Sequence, residues 1–260
     1  MNYILTNCNN IYITEKCCHK DYRQCNCYDC LSSSFYGSID SYNCLKKLCY
    51  YTMNYGPSYC SEIYHLLNQA KLIEHSDKNP INILSLGCGF GSDLIALKKY
   101  FQNNNINRAL NYLGLDKEPL WNNIRLPSMY KYFKVHDVLT GFDLSNQDII
   151  FINKLYSTLL SIKKNKCFLK ILKKEVLNMK EGSILIFNDI NHIDKGRDNF
   201  DYEMTRCFSD VKRYFFNING AYKGNYIEIT GTQNICTIPN TLSVSPKTDV
   251  FKTVFFIYYK

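Results

Sequence analysis

The clearest pattern in the chain lies just after residue 80, where a short apolar run precedes a cluster of glycines. Proline at position 80 ends any preceding helix, because the residue before a proline avoids the helical conformation. The run 81–86 (INILSL) has the length of a buried strand, and the turn 87–91 (GCGFG) follows it directly. From Ser92 onward the apolar residues recur at helical spacing. A strand, a glycine turn and a helix in this order predict the start of a doubly wound α/β domain.

Further apolar runs of strand length follow, and helical stretches separate them. The predicted strands after the first are 111–116, 132–135, 147–153 and 183–189, with 226–229 and 250–259 as candidates for the sixth and seventh. A lysine-rich helical stretch at 161–180 precedes the fifth strand. This alternation of strands and helices predicts a mostly parallel sheet that is covered by helices.

The N-terminal part of the chain has a different character. Nine of the 13 cysteines lie in the first 60 residues, together with many tyrosines. We predict two helices there, 41–55 and 58–73, joined at Gly56-Pro57, and an apolar stripe on the second that packs on the sheet. The sequence thus predicts a cysteine- and tyrosine-rich lobe over residues 1–59 and an α/β domain over residues 60–260.

The charge of the chain is unevenly distributed. It carries 31 Lys and Arg against 23 Asp and Glu, a formal net charge of +8. Seven residues of each sign lie in residues 1–80, so the excess belongs to residues 81–260, with 24 basic and 16 acidic residues. A basic domain suits a nucleic acid or another anionic partner, and it is also usual for a soluble lysine-rich protein. No run of about 18 apolar residues and no export signal is present, so we expect no membrane association and a cytoplasmic location.

The spacing of the glycines indicates the ligand. A dinucleotide fingerprint is G-x-G-x-x-G, whereas this chain has G-x-G-x-G, with Ser92 at the place of the third glycine. With this turn, an acid ending the second strand (Asp116) and another after the third (Asp137), residues 60–260 resemble the class I S-adenosylmethionine-dependent methyltransferases. The resemblance implies a doubly wound, seven-stranded, mostly parallel sheet whose last strand is antiparallel, here with a small Cys-rich N-terminal lobe.

The resemblance also implies which residues bind S-adenosylmethionine. The family places the glycine turn against the cofactor, the first acid on the ribose hydroxyls and the second acid at the adenine amine. Carried over to this sequence, the cofactor-binding residues are Ser85, Gly87, Cys88, Gly89, Gly91, Asp93, Asp116, Lys117, Asp137, Val138 and Asn153. Ser85 departs from the family, which often has an acid there to hold the methionine amino group. Asp93 either supplies part of the lost charge or is an ordinary acid in the first turn of the following helix.

The resemblance implies a methyl transfer that needs mainly positioning, because the nucleophile attacks the sulfonium methyl in line. A base is needed only where the nucleophile carries a proton. The candidate catalytic residues lie at the ends of the fourth and fifth strands, and they are Asn153, Asp189 and Asn191. Asp189 either orients or deprotonates the acceptor, or it caps the loop that follows.

The cysteines near the N-terminus predict a metal site. Six potential ligands lie within 14 residues: Cys17, Cys18, His19, Cys25, Cys27 and Cys30. Without an export signal, thiolate ligation is favoured over a disulfide framework. A structural zinc ion, which takes four thiolate or imidazole ligands, is the leading hypothesis. An iron–sulfur cluster and metal-free thiols are the alternatives.

The sequence leaves the methyl acceptor open. A series of lysines before the fifth strand predicts an amphipathic helix with a solvated face, and the same face suits RNA: Lys163, Lys164, Lys166, Lys170, Lys173 and Lys174. RNA is therefore the favoured acceptor. A small molecule or protein side chain is the second hypothesis, with the N-terminal lobe as a lid. A cofactor-binding partner subunit without catalysis is the third, and only Ser85 favours it.

Overall fold

A computed structural model gives the fold, and it describes residues 1–16, 27–35, 42–73, 77–218, 224–249 and 252–260. The α-helices in these ranges are α1 (Asn2–Thr14), α2 (Cys27–Phe35), α3 (Leu45–Ala70), α4 (Ser92–Asn103), α5 (Tyr156–Ser161), α6 (Asn165–Val176) and α7 (Arg197–Thr205). The strands are β1 (Ile81–Leu86), β2 (Leu110–Asp116), β3 (Phe133–Val135), β4 (Ile149–Asn153), β5 (Ile184–Ile190), β6 (Asp210–Phe216), β7 (Ile227–Ile229) and β8 (Thr253–Tyr259).

The strands form one sheet in the order β3-β2-β1-β4-β5-β8-β6-β7. All of its pairs are parallel except those that β8 makes with β5 and β6. The structure confirms the predicted α/β class and the antiparallel last strand. The predicted number of seven strands is wrong, because residues 210–216 form an additional strand and the candidate at 226–229 is the short edge strand β7. The first half of 210–216 is only partly covered, so its polar residues conceal the strand in the sequence.

Helices cover both faces of the sheet. In β4, Ile149 and Phe151 belong to the core beneath α3 and α4, whereas Ile150 and Ile152 belong to the core beneath α6 and α7. This assignment follows from the strand period of two, which points successive side chains to opposite faces. A strand buried on both faces is apolar throughout, which is why β4 was visible in the sequence. None of the helices in the described ranges has the length and apolar character needed to cross a bilayer.

One long helix, α3, replaces the two helices predicted around Gly56-Pro57. A proline inside a helix costs about 3 kcal/mol, because it removes a backbone donor and crowds the preceding turn. Packing offsets that cost here. An added Cβ on Gly56 would lie 2.4 Å from Met1 Cε and 3.3 Å from Phe90 Cζ, so the helix contacts both neighbours closely at this point. The helix is continuous through residue 59, where the sequence analysis placed a boundary.

Candidate active site

A cleft opens at the carboxyl ends of β1, β2 and β4. From β1 the sheet grows through β2 and β3 on one side and through β4 and β5 on the other. Connections that diverge in this way leave a crevice beyond the strand ends. The cleft encloses about 1260 Å³, its open mouth included. Its walls come from 87–90, 116–118, 136–139 and 153–155, together with side chains of α3.

The glycine turn after β1 is bound to the end of β2. The backbone N–H groups of Gly87 and Cys88 both donate to the carbonyl of Leu115, at 2.8 and 3.1 Å. Gly87 has φ +66°, and an added Cβ would lie 2.7 Å from Leu155 Cδ1. The backbone takes this path only with glycine. The helix α4 starts directly after the turn, and a helix N-terminus offers N–H groups and a positive dipole end to a ligand.

Arg125 supports the turn from behind, and sequence reasoning missed it. The buried guanidinium donates to the carbonyl of Gly89 through Nε (3.1 Å) and through Nη2. It also donates from Nη1 to Asn122 Oδ1 at 2.9 Å and lies 3.8 Å from the ring centroid of Phe133. These contacts fix the position of Gly89. Arg125 belongs to no recognisable motif, and only the fold brings it to the turn.

Asp116 ends β2 and faces the glycine turn. Its Oδ2 accepts the backbone N–H of Gly89 at 2.9 Å, and its Oδ1 accepts that of Glu118 at 3.0 Å. Burial raises the pKa of this carboxyl, and the hydrogen bonds from Glu118 and Gly89 oppose that effect. Each carboxylate oxygen can accept more than one hydrogen bond, so the group can still receive two hydroxyls side by side.

The residues after β2 and β3 form the adjoining wall of the cleft. Lys117 is exposed at its rim. Asp137 and Val138 lie farther along the wall, where Asp137 Oδ1 accepts the backbone N–H of Leu139 at 2.9 Å and caps a short 3₁₀ turn. Among the predicted cofactor-binding residues, those that line the cleft are Gly87, Cys88, Gly89, Asp116, Lys117, Asp137, Val138 and Asn153.

Ser85, Gly91 and Asp93 do not line the cleft, although Gly91 is the last residue of the glycine turn. Asp93 is fully buried, and its Oδ1 accepts the hydroxyl of Tyr112 at 2.9 Å and the backbone N–H of Leu94 at 3.0 Å. Burial raises the pKa of Asp93. Asp93 lies in the first turn of α4, so its hydrogen bonds stabilise the segment that directly follows the glycine turn.

Two asparagines lie side by side at the ends of β4 and β5. Asn153 and Asn188 are paired in register, so both side chains project to the same face of the sheet, and both line the cleft. Asn188 Oδ1 accepts from Thr253 Oγ1 at 2.9 Å. Asn188 Nδ2 and both polar atoms of the Asn153 side chain are buried, with no hydrogen-bond partner among the described residues. Sequence reasoning missed Asn188 because it placed the functional residue one position later.

Asp189 does not line the cleft. Its Oδ2 accepts the backbone N–H of Ser157 at 2.8 Å, and its Oδ1 accepts that of Ile190 at 2.8 Å. Burial raises its pKa, while the hydrogen bonds from Ser157 oppose that effect. The carboxylate thus fixes the start of α5, which is not the following loop that the sequence analysis named as the structural alternative. Its predicted catalytic role stays a prediction.

A buried ion pair joins α3 to the sheet at the floor of the cleft. Lys154 has φ +53°, a strained value for a residue with a side chain, and its Nζ lies 3.0 Å from Glu62 Oε2. The same ammonium donates to Thr253 Oγ1 and lies 5.0 Å from the ring centroid of Tyr59. Glu62 is the only acidic residue of α3, and that isolation within an apolar stripe was the signal available in the sequence.

Aromatic rings from the N-terminal segment form the remaining wall. Tyr51 and Tyr59 lie on α3 with ring centroids 5.9 Å apart, and Tyr51 packs edge-on against Trp121 at 6.1 Å. Tyr42 packs against Trp121 at 6.3 Å and hydrogen-bonds to the side chain of Thr158 on α5. It therefore spans the cleft from one wall to the other. Burial raises the pKa of Tyr42 to about 12, so its hydroxyl is protonated at neutral pH.

The predicted metal site falls mostly outside the described residues. Cys17, Cys18, His19 and Cys25 are not in the described ranges. Cys27 and Cys30 lie one turn apart on α2, the first buried and the second half-buried. Within the ranges that the structure describes, no three or more His, Cys, Asp or Glu side chains are grouped to hold a metal ion.

No protein-family model and no curated protein sequence matches the chain. Solved structures do match. Phosphoethanolamine N-methyltransferase 2 of Haemonchus contortus aligns with 13% identity and a TM-score of 0.48 over 75% of this chain and 47% of its own. A SAM-dependent methyltransferase of Archaeoglobus fulgidus aligns with 14% identity and a TM-score of 0.44 over 75% and 94%. The N-methyltransferase NodS of Bradyrhizobium japonicum aligns with 12% identity and a TM-score of 0.49 over 91% and 99%.

All three of these proteins are methyltransferases, and two of the structures contain S-adenosylhomocysteine. The chain spans about half the length of the Haemonchus protein. At such identities and TM-scores the likeness carries no argument about activity, which must come from the cleft itself.

The ion pair at the floor of the cleft generates a stability prediction. Glu62→Gln should lower the free energy of unfolding by about 3–5 kcal/mol, because it removes the carboxylate that pairs with the buried Lys154 ammonium. Glu62→Leu combined with Lys154→Met removes both charges and should cost much less. Urea denaturation measures both effects. The control is Lys174→Met, whose side chain is 79% exposed beside Glu175, and it should change stability by less than about 0.5 kcal/mol. A Glu62→Gln effect no larger than the control would show that the pair does not hold α3.

Proposed function

We propose that the cleft binds S-adenosylmethionine and that the protein transfers its methyl group to an acceptor. The single observation that carries this proposal is the Asp116 carboxylate, which backbone N–H groups hold beside a glycine turn at the switch point of the sheet. A carboxylate fixed at both oxygens and still able to accept hydrogen bonds suits the two adjacent hydroxyls of a ribose.

The other residues of the cleft fit the same molecule. The glycine turn lines the cleft with residues that have no side chain at Gly87 and Gly89, and the segment 137–139 offers an adenine site. Asn153 at the end of β4 and Asp116 at the end of β2 lie on either side of β1. When bound, the cofactor supplies a methyl group on a positively charged sulfur. The chain's own contribution is to orient the acceptor and to exclude water, for which the aromatic wall of Tyr42, Tyr51 and Tyr59 is suited.

The cofactor proposal predicts a defined loss of affinity. Asp116→Ala should weaken S-adenosylmethionine binding by about 100-fold or more, since two hydrogen bonds to a charged group contribute about 3 kcal/mol or more. In the unmodified protein the affinity should fall as the pH drops through the raised pKa of Asp116, at a higher pH than the ordinary Asp value of 3.8 allows. Asp116→Asn should bind weakly with no such pH dependence.

Calorimetric titration measures these affinities. Asp143→Ala is the matched control, since Asp143 is an exposed carboxyl outside the cleft lining, and this variant should bind as the unmodified protein does. Binding that Asp116→Ala leaves intact would remove the basis of the proposal.

We further propose that the acceptor is RNA. Buried polar groups are nearly always hydrogen-bonded, so the free amide atoms of Asn153 and Asn188 are expected to find partners in a bound molecule. The edge of a nucleobase offers both donors and acceptors, and the rings of Tyr51 and Tyr59 offer a surface for stacking. The Lys154 charge at this end of the cleft is matched by Glu62, which favours an uncharged acceptor group.

Exposed lysines beside the cleft support the same acceptor. Lys163, Lys164 and Lys166 are exposed, and they directly follow Ile162, which lines the cleft. Binding of RNA phosphates to such a cluster is favourable, because it releases counterions from the RNA. Two basic residues after β5 do not extend this exposed cluster, because Arg197 is buried beside Asp198 and Arg213 pairs with Asp201 at 2.8 Å.

Transfer of radiolabelled methyl groups into separated RNA, protein and metabolite pools tests the acceptor. We expect label in RNA, and we expect Lys163→Glu, Lys164→Glu and Lys166→Glu together to lower it about tenfold or more while leaving cofactor affinity unchanged. The matched control reverses the same number of charges away from the cleft, with Lys71→Glu, Arg206→Glu and Lys212→Glu, and should retain the label. Label only in protein or metabolites contradicts the RNA acceptor and leaves methyl transfer standing. Cofactor binding without any label contradicts catalysis.

We also propose that the N-terminal cysteines bind a structural zinc ion. Cys27 and Cys30 lie three residues apart on α2 and therefore share one face of the helix, which suits ligation of one ion together with ligands from residues 17–25. Elemental analysis of the purified protein should find one zinc per chain, and Cys27→Ser with Cys30→Ser should lose it. Cys167→Ser, an exposed cysteine elsewhere, should keep it. A preparation without zinc or iron would favour the metal-free alternative.

A further inference from the structure

The irregular segment between β7 and β8 lies along α3. We call residues 230–249 of this segment the strap. Its contacts come from one face of the helix, since the α3 residues concerned recur every three or four positions. Hydrogen bonds join the strap to the helix. They run from Lys247 N–H to the carbonyl of Asn54 (2.8 Å), from Ser58 Oγ to the carbonyl of Asp249, from Ile235 N–H to Ser61 Oγ (3.1 Å), and between His65 Nε2 and the carbonyl of Gln233 (2.7 Å).

Two thiols meet where the strap contacts the middle of α3. Cys60 on the helix and Cys236 on the strap are hydrogen-bonded to each other, and neither is in a disulfide. The side chain of Asn234 holds Cys236 at both ends, donating to its carbonyl at 2.7 Å and accepting its backbone N–H at 3.1 Å. Cys236 Sγ also lies 3.8 Å from the carbonyl of Pro57. Asn234 and the Pro57 carbonyl thus hold Cys236 against the turn of α3 that carries Cys60.

The two thiols differ in access to solvent. Cys60 is fully buried, whereas Cys236 is partly exposed. The hydrogen bond from Cys60 lowers the pKa of Cys236, which raises its thiolate fraction, and the thiolate is the reactive form. A second pair, Cys8 on α1 and Cys49 on α3, is also hydrogen-bonded, but both of its sulfurs are fully buried. Cys8 and Cys49 therefore serve as an internal reference, because their thiols are in contact but are not accessible to solvent.

We propose that Cys60 and Cys236 are an oxidation site that forms a disulfide bond between α3 and the strap when the protein meets a peroxide. The Cys236 thiolate attacks one peroxide oxygen, so an S–O bond forms and the O–O bond breaks, and the departing oxygen leaves as water after taking up a proton. The sulfur of Cys60 then attacks that of Cys236, so the S–S bond forms and the S–O bond breaks, and the second oxygen leaves as water with the Cys60 proton. The two thiols lose two electrons to one peroxide.

The bond would fix the strap to the helix that places Tyr59 in the cleft wall and pairs Glu62 with Lys154. The proposal does not depend on the methyltransferase assignment, because it rests on the two thiols and their surroundings alone.

Peptide mapping of the full-length protein without reductant tests the proposal. After treatment with hydrogen peroxide at a low molar excess, we expect one new linked peptide pair that joins Cys60 to Cys236 and is lighter by two hydrogens. The linkage of Cys8 to Cys49 should be at least tenfold less abundant. The oxidised protein should unfold at a higher urea concentration, because the bond closes a long loop in the unfolded chain.

Three variants control this experiment. Cys60→Ser and Cys236→Ser should each lose both the linked peptides and the shift in urea, whereas Cys49→Ser should keep both. Circular dichroism of the reduced variants shows that each is folded before treatment, and Cys236→Ala replaces Cys236→Ser if the serine variant is not. Oxidation of Cys236 to the sulfinic acid without linkage to Cys60, or linkage of Cys8 to Cys49 in equal amount, overturns the proposal.

Discussion

The hydrogen bond from the backbone of Gly89 to Asp116 is the contact on which the candidate site depends. The parallel register of β1 and β2 aligns Leu86 with Leu115, so the residues that follow the two strands must meet at the same edge. Leu115 receives two N–H groups of the glycine turn, and Asp116 receives a third. The acid therefore does two things, because it stabilises the turn and presents the rest of its hydrogen-bonding capacity to the cleft. Separating these effects requires a ligand measurement beside a stability measurement.

The floor of the cleft depends on a different principle, the neutralisation of the buried charge of Lys154. Lys154 stands in a strained conformation after β4, and its ammonium is held by Glu62 from α3 and by Thr253 from β8. The helix α3 and the last strand, β8, thus both contact the side chain of Lys154. The N-terminal segment supplies the floor of the cleft, its aromatic wall and its counter-charge, so it belongs to the site.

The extent to which the sequence predicts this structure follows from how each element is buried. β1, β4 and β5 are covered on both faces and are therefore apolar runs that stand out, whereas β6 is half exposed and its residues DVKRYFF resemble a loop. The site shows the same contrast. The glycine turn and Asp116 follow from local patterns, but the choice between Asn188 and Asp189 depends on register. Asn188 pairs with Asn153 and shares its face, so Asp189 must project to the other side. Arg125 was beyond prediction because Gly89, the residue of the glycine turn that it binds, lies 36 positions earlier in the sequence.

The buried carboxyl groups around the cleft lower the stability of the fold at neutral pH, which indicates that they have a function beyond packing. Burial raises the pKa of Asp93, Asp116 and Asp189 in the folded protein. An acid whose pKa is raised by folding favours the folded state at low pH, and that contribution is lost as the pH rises through the raised pKa. At neutral pH these three groups therefore lower the stability of the fold, relative to carboxyls left in water. Backbone N–H groups recover part of that cost at each of them. Three unfavourable carboxyls at one end of one sheet are hard to explain by packing, whereas positioning of a turn, a ligand and a helix start explains each of them.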